Sequence, residues 1–159
     1  DLLDHLADAE VLLVGRCDAD LASELQRDRL HLEGVGAYVP HERIVEHYLR
    51  EQWTAGLALF PPGQHTLRKE LTKLFEYMAA GLPVVASNFP LWRELVEGHR
   101  CGRCVDPKNP QAIADVIRWL LDHPEESEVM GRRGRDAVRE HFNWGNEADK
   151  LLALYESLA

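Results

Sequence analysis

Several ingredients are scarce in this chain. Its 159 residues include three cysteines and two methionines, and 18 basic residues face 27 acidic ones. No apolar run approaches the ~20 residues of a membrane helix, so a membrane span is not expected. Three cysteines cannot all pair within one chain, which excludes a disulfide framework; the odd count suits a reducing, cytoplasmic compartment. The opening residues carry no secretory-leader pattern. A net charge of −9 argues against a general binder of nucleic acid or anionic membrane. What remains, 45% hydrophobic and 28% charged, is the balance of an ordinary globular domain, and the length fits one domain over residues 1–159.

The acidity is uneven. Residues 1–51 carry 12 acids and 5 bases, residues 52–65 carry none of either, and residues 104–159 carry 11 and 7. Residues 66–103 run against the average, with 4 acids and 6 bases, a net of +2. An anionic small molecule would find its best match there. Cys101 and Cys104 form a C-x-x-C, but Arg100 to Pro107 reads as a turn entering a strand rather than a helix start that would lower a thiol pKa. No second Cys pair or spaced His pair completes a metal site. Buried or turn cysteines are expected, and no metal or cofactor.

Hydrophobic periodicity alternates helices with strands. Leu2, Leu3 and Leu6 mark a helical face, and Val11–Val14 a buried strand ending at Gly15. Asp18 to Arg27 reads as helix and Leu30 to Gly34 as strand. Pro40 opens a helix to Glu51, for which His41 and Glu42 are simply the first turn. Ala55–Phe60 is an apolar strand stopped by Pro61-Pro62-Gly63. A mobile, polar loop from Gln64 to Lys69 leads into a helix over Leu71–Ala80, which Gly81 terminates. Strands at Pro83–Ser87 and Arg103–Val105 flank a short helix over Leu91–Val96, and residues 108–159 form a helical tail. Near-continuous apolar strands alternating with helices predict an α/β fold, a Rossmann-like parallel sheet of about five strands covered on both faces. Ligands of such sheets sit beyond the C-terminal strand ends.

The densest polar constellation in that zone is Thr72, Lys73 and Glu76, which share one helical face while Leu71, Leu74, Phe75 and Met78 occupy the other. Unpaired N–H groups and the positive dipole end at the helix start favour a phosphate. Lys73 adds a point charge, and Glu76 suits the vicinal hydroxyls of a ribose. The competing reading is an exposed Lys73–Glu76 pair worth about 0.3–0.5 kcal/mol, and geometry alone holds the two even. His65, in the preceding loop, reads more simply as solvated; Arg132, Arg133, Arg135 and Arg139 as a solvated helix face; Trp119 and Trp144 as packing groups.

The stretch Thr72-Lys73-Leu74-Phe75-Glu76-Tyr77-Met78-Ala79-Ala80-Gly81-Leu82-Pro83-Val84-Val85-Ala86-Ser87 resembles the donor-site segment of family 4 retaining glycosyltransferases. The resemblance continues upstream through Leu13-Val14-Gly15, Glu33-Gly34, Val39-Pro40-His41-Glu42 and Leu59-Phe60-Pro61. Downstream it takes in Trp92-Arg93-Glu94, Cys101-Gly102, Val105-Asp106-Pro107, Met130-Gly131 and Phe142-Asn143-Trp144, nearly the whole chain. It implies the GT-B fold and, within it, the C-terminal domain that binds a nucleoside diphosphate sugar. Glu76 then matches the second acid of the family's E-x7-E motif and binds the donor ribose. Amides around Leu71 to Leu74 face the diphosphate, and the loop from Gly34 through Tyr38 to Val39 lies near the nucleobase. The implied reaction is transfer of a hexose to an acceptor hydroxyl with retention. No catalytic residue is assigned.

Two departures qualify the match. Arg68 stands where the motif has its first Glu, and Glu70 is out of register, so Arg68 or Lys69 is expected to approach phosphate instead. The family's first strand and the N-terminal domain for a carbohydrate or lipid-linked acceptor are expected to be missing, making this an inactive fragment that retains weak nucleotide affinity. That missing strand is expected to leave a gap in the sheet. A non-catalytic nucleotide-binding module is the alternative. A phosphorylatable receiver domain is excluded because Phe60-Pro61-Pro62 replaces the required Asp, and a nicotinamide-binding domain because Gly15 to Asp20 lacks G-x-G-x-x-G.

Overall fold

The computed structural model describes residues 2–50, 52–64, 66–69 and 71–158, with Arg50 described for its backbone only. The chain divides into two compact units, Asp1–Gln52 and Trp53–Ala159.

In the first unit the opening leucines form a single 3₁₀ turn, Leu3–His5, that buries Leu3. Strand β1 (Val11–Cys17) runs past Gly15 and pairs in parallel with β2 (Leu30–Val35), with a register shift between Val14 and Cys17. Helix α1 (Ala19–Leu25) joins them, and α2 (His41–Arg50) follows. Arg29, at φ 70°, sends its guanidinium to the carbonyls of Leu3, Leu6, Ala7 and Ala9, tying the opening turn to the start of β2.

The second unit is built on a parallel sheet of order β3 (Gly56–Ala58), β4 (Val84–Ser87), β5 (Gly102–Val105). All four residues of the central β4 are buried, as the run Val84-Val85-Ala86-Ser87 requires of a strand covered on both faces. Helix α3 (Thr72–Ala80) ends in a left-handed Gly81 at φ 77°, where the Leu82 N–H reaches the Tyr77 carbonyl at 2.9 Å. Helix α4 (Pro90–Val96) buries Trp92, Leu95 and Val96. The tail is α5 (Pro110–Asp122), α6 (Pro124–Glu140) and α7 (Trp144–Ser157), the first and last capped by Asn109 and Asn143 side chains that accept N–H groups three residues on. The core joins Ala58, Leu74, Met78, Val84, Ala86, Phe89, Trp92 and Cys101.

The α/β class, the parallel strands and the helical tail are those predicted. Among the described residues the strands form one sheet of two and one of three. Trp144 departs from expectation: it is 75% exposed at the start of α7, a helix with no buried residue, so it packs no core.

Candidate functional site

Leu71 caps the start of α3 with an extended backbone and an apolar side chain, so the first amides of the helix lack a side-chain acceptor at that residue. Leu74 and Met78 are fully buried and fix the rotation of the helix, which leaves Thr72 exposed and Lys73 and Glu76 half-buried. The predicted quartet Thr72, Lys73, Leu74 and Glu76 is therefore assembled on one short helix. The Leu74 side chain is core and its N–H already donates to the Leu71 carbonyl at 2.9 Å, so of the four it is the least available.

Lys73 does more than sit on a helix face. Its ammonium lies over the Phe60 ring, 4.9 Å from the centroid. Phe60 follows β3, and its ring meets the edge of Trp92 at 6.0 Å. The Phe60 backbone is held in turn by the Ser87 hydroxyl at the end of β4, which accepts the Phe60 N–H at 2.7 Å. The aromatic seat that holds Lys73 thus comes from the C-terminal ends of adjacent strands. Sequence reasoning missed it, because residues 60, 73, 87 and 92 have no shared local spacing.

Arg68 and Lys69 are exposed, as residues able to approach an anion must be. Several hydrogen bonds of the loop before them are described. Thr66 closes a turn, its hydroxyl taking the Gly63 N–H at 2.9 Å and lying 3.1 and 3.2 Å from the Gly63 and Pro61 carbonyls. The Leu67 N–H reaches the Gly63 carbonyl at 3.0 Å. The indole N–H of the fully buried Trp92 then donates to the Lys69 carbonyl at 2.8 Å. Local side-chain-to-backbone bonds of this kind are ones that composition alone does not reveal. His65 and Glu70 lie outside the described residues.

Gly34 and Tyr38 belong to the first unit. Gly34, at φ 105°, has no room for a side chain: a Cβ would meet the Gly15 carbonyl oxygen at 2.4 Å and Val39 Cγ2 at 2.6 Å. The Gly36 N–H bonds the Cys17 carbonyl at 2.8 Å, and Val39 is buried. Tyr38 projects from this pinned backbone with 79% of its surface exposed.

The remaining candidates resolve simply. Cys101 is buried with its thiol on the Val96 carbonyl, and burial pushes its pKa up to about 11. Burial, then the nearby Glu97, pushes Cys104 up to about 12. Both shifts oppose thiolate chemistry. Trp119 is stacked on His123 at 4.5 Å, with Arg103 over its ring at 5.6 Å; with Asp115 and Val116 it lines a surface cleft of about 270 Å³ that contains none of the predicted site residues. Arg132 lies on the exposed face of α6 against Glu128, whereas Arg135 reaches across to the Ala80 carbonyl at 2.9 Å and caps the end of α3. Among the described residues no three His, Cys, Asp or Glu side chains are grouped to hold a metal ion, and no helix is long and apolar enough to cross a membrane.

Comparison with known proteins bears on this geometry. The family described as glycosyl transferases group 1 matches residues 36–137. The MMP alpha-(1->4)-mannosyltransferase of Mycolicibacterium hassiacum is 37% identical over 82 residues, covering 51% of this chain and 20% of that protein. Two solved structures share the fold. A sucrose-phosphate synthase from Thermosynechococcus elongatus superposes with a TM-score of 0.76 at 24% identity, covering 99% of this chain and 40% of its own. Anabaena Alr3699/HepE, solved in complex with UDP, superposes with a TM-score of 0.71 at 20% identity, covering 98% and 44%. The chain spans about a fifth of the length of the first curated relatives it matches.

Proposed function

Because the chain belongs to the glycosyl transferases group 1 family, we propose that it is the nucleotide-sugar-binding domain of a retaining glycosyltransferase with the GT-B fold. The reaction is transfer of a hexose from a nucleoside diphosphate sugar to an acceptor hydroxyl on a carbohydrate or lipid-linked substrate, on the cytoplasmic side. The family match over residues 36–137 carries the reading, since it takes in all of α3 with Thr72, Lys73, Leu74 and Glu76. The UDP complex of one structural neighbour and the mannosyltransferase activity named for one relative support it.

On this reading Glu76 accepts hydrogen bonds from the ribose hydroxyls. The positive end of the α3 dipole and the Lys73 ammonium stabilise the diphosphate as it departs, the point at which negative charge grows. Phe60 holds the Lys73 ammonium over its ring, and Arg68 adds a second cation.

Calorimetric titration of the full-length protein with UDP-, GDP- and ADP-sugars tests the assignment. Loss of charge-assisted bonds to the ribose, about 1.5–3 kcal/mol, makes Glu76→Ala bind its preferred donor roughly 10- to 100-fold more weakly. Unchanged affinity in Glu76→Ala removes the reading. Nucleotide-sugar binding without any transfer to acceptors favours the non-catalytic module instead.

A further inference from the structure

Among the described residues, strand β5 stands at the end of its sheet, in the order β3-β4-β5. The Val84 N–H donates to the Cys101 carbonyl at 3.0 Å and the Asn88 N–H to the Val105 carbonyl at 2.8 Å, while the register sets Val84 beside Gly102 and Ala86 beside Cys104. Parallel strands bond a given neighbour through alternate residues. Cys101, Arg103 and Val105 therefore turn their backbone groups toward β4. Those of Gly102 and Cys104 turn the other way, along the outer side of the strand.

An outward row of N–H and C=O groups is a template on which another strand can pair. Here one side chain intervenes. Glu97, the residue that caps the end of α4, accepts the Cys104 N–H through Oε1 at 3.1 Å. Its Oε2 accepts from the Arg93 Nε at 3.2 Å, one turn back along the chain, and the Glu97 N–H bonds the Arg93 carbonyl at 2.8 Å. The carboxylate is thus oriented through both oxygens. A charge-assisted bond to a backbone N–H is stronger than the neutral bond a neighbouring strand would make. Residues 98–101 separate Glu97 from β5, and this turn is closed by the Cys101 N–H on the Val96 carbonyl at 3.0 Å. The Glu97 side chain is 33% exposed, so the edge it covers borders solvent.

We propose that Glu97, braced by Arg93, closes the β5 edge against strand pairing with the same edge of a second copy of this chain. The edge is self-complementary: Gly102 and Cys104 each offer a donor and an acceptor, and two such edges related by a two-fold axis can exchange them. Glu97 occupies the Cys104 donor within its own chain before another strand can. The proposal stands apart from the donor-site reading.

Sedimentation and amide exchange of the full-length wild type, Glu97→Ala, Glu97→Gln and Arg93→Ala across the micromolar range test it. The wild type is expected to keep one mass throughout. Glu97→Ala uncovers the Cys104 N–H and doubles in mass as concentration rises. In its dilute form the Cys104 amide exchanges about tenfold faster than in wild type. In its concentrated form protection returns at Cys104 and increases at Gly102. Glu97→Gln, which keeps an oxygen acceptor without the charge, and Arg93→Ala, which keeps the carboxylate without its brace, double at higher concentration than Glu97→Ala. Faster exchange in Glu97→Ala with no dependence on concentration marks local loosening of α4 and overturns the proposal. So does a Glu97→Ala that keeps the wild-type mass, or one that doubles while Gly102 and Cys104 stay unprotected.

Discussion

The Ser87 hydroxyl serves both backbone groups of Phe60, accepting its N–H at 2.7 Å and donating to its carbonyl at 2.9 Å. Ser87 is fully buried at the end of β4, and Phe60 lies just beyond β3, which ends at Ala58. One side chain thus continues the pairing of two strands past the last ladder bond. It also sets the ring on which Lys73 rests. A serine closing a run of valines and alanine is therefore a structural requirement of the site rather than an incidental polar residue.

Ser87→Ala leaves the Phe60 N–H and carbonyl without that partner at a half-buried position. The expected cost is about 1–3 kcal/mol, read as a lower urea midpoint with unchanged slope. If the ring contact matters to the donor site, nucleotide affinity falls with it. Phe60→Leu, which keeps apolar volume and removes the cation–π contact, lowers affinity with a smaller loss of stability.

Helices α3 and α6 meet backbone to backbone at Gly81 and Gly131. A Cβ on Gly131 would lie 2.0 Å from the Gly81 carbonyl oxygen, an atom that cannot move aside. Gly131→Ala should gain helix propensity yet destabilise, because the helices must separate; overpacking of this kind costs about 1–3 kcal/mol. A raised melting temperature in that variant contradicts the close approach. Gly36→Ala provides the contrast: its Cβ meets open space, and only the φ of 70° opposes it, so the expected loss is about 1 kcal/mol.

The elements were legible because their signals are local. Pro40 and Gly81 punctuate the sequence where α2 begins and α3 ends. The Thr72–Glu76 face followed from helical spacing. What stayed hidden is non-local. Glu33 and His47 are fourteen residues apart, Phe60 and Ser87 twenty-seven, and Trp92 and Lys69 twenty-three; no period joins them. The bond from the Trp92 indole to the Lys69 carbonyl in the loop before α3 was hidden for the same reason, since that tryptophan lies in another helix. Exposure of Trp144 was equally invisible, because aromatic content reports what a residue can bury and not whether a neighbour covers it.

Cys101 and Cys104 are expected to resist modification. Burial holds their thiols protonated, with pKa values pushed up to about 11 and about 12. Iodoacetamide at pH 8 should therefore label the half-buried Cys17 first. The same shifts carry a stability consequence. An unfolded thiol ionises near 8.5, so the folded state holds the proton more tightly, and this contribution is complete below that pH. It is lost as pH rises from about 9 through the folded values, and Cys104→Ser flattens part of that alkaline decline. Rapid labelling of Cys101 in the folded protein at pH 8 contradicts its burial.

Glu33, whose carboxylate in β2 meets Arg43 Nε and His47 Nε2 of α2 at 2.7 Å each, has the opposite pH signature. Its carboxyl is held below the ordinary value by the Arg43 and His47 hydrogen bonds. A carboxylate with a depressed folded pKa binds protons more readily when unfolded, so its contribution is present above the ordinary range near 4.3 and disappears as pH falls through the lower folded value. Neutral glutamine cannot follow that titration. Amide exchange at the β1–β2 pairing, measured between pH 3 and 6 and corrected for intrinsic rates, should show protection in wild type that declines toward acid. In Glu33→Gln protection should start lower and change less across the same window. High salt separates the forked pair from simple charge attraction: screening weakens exposed Coulomb terms, but the two hydrogen bonds from Arg43 to one carboxylate should preserve most of the wild-type protection. An acid profile that Glu33→Gln leaves unaltered means that the carboxylate does not hold α2 to β2.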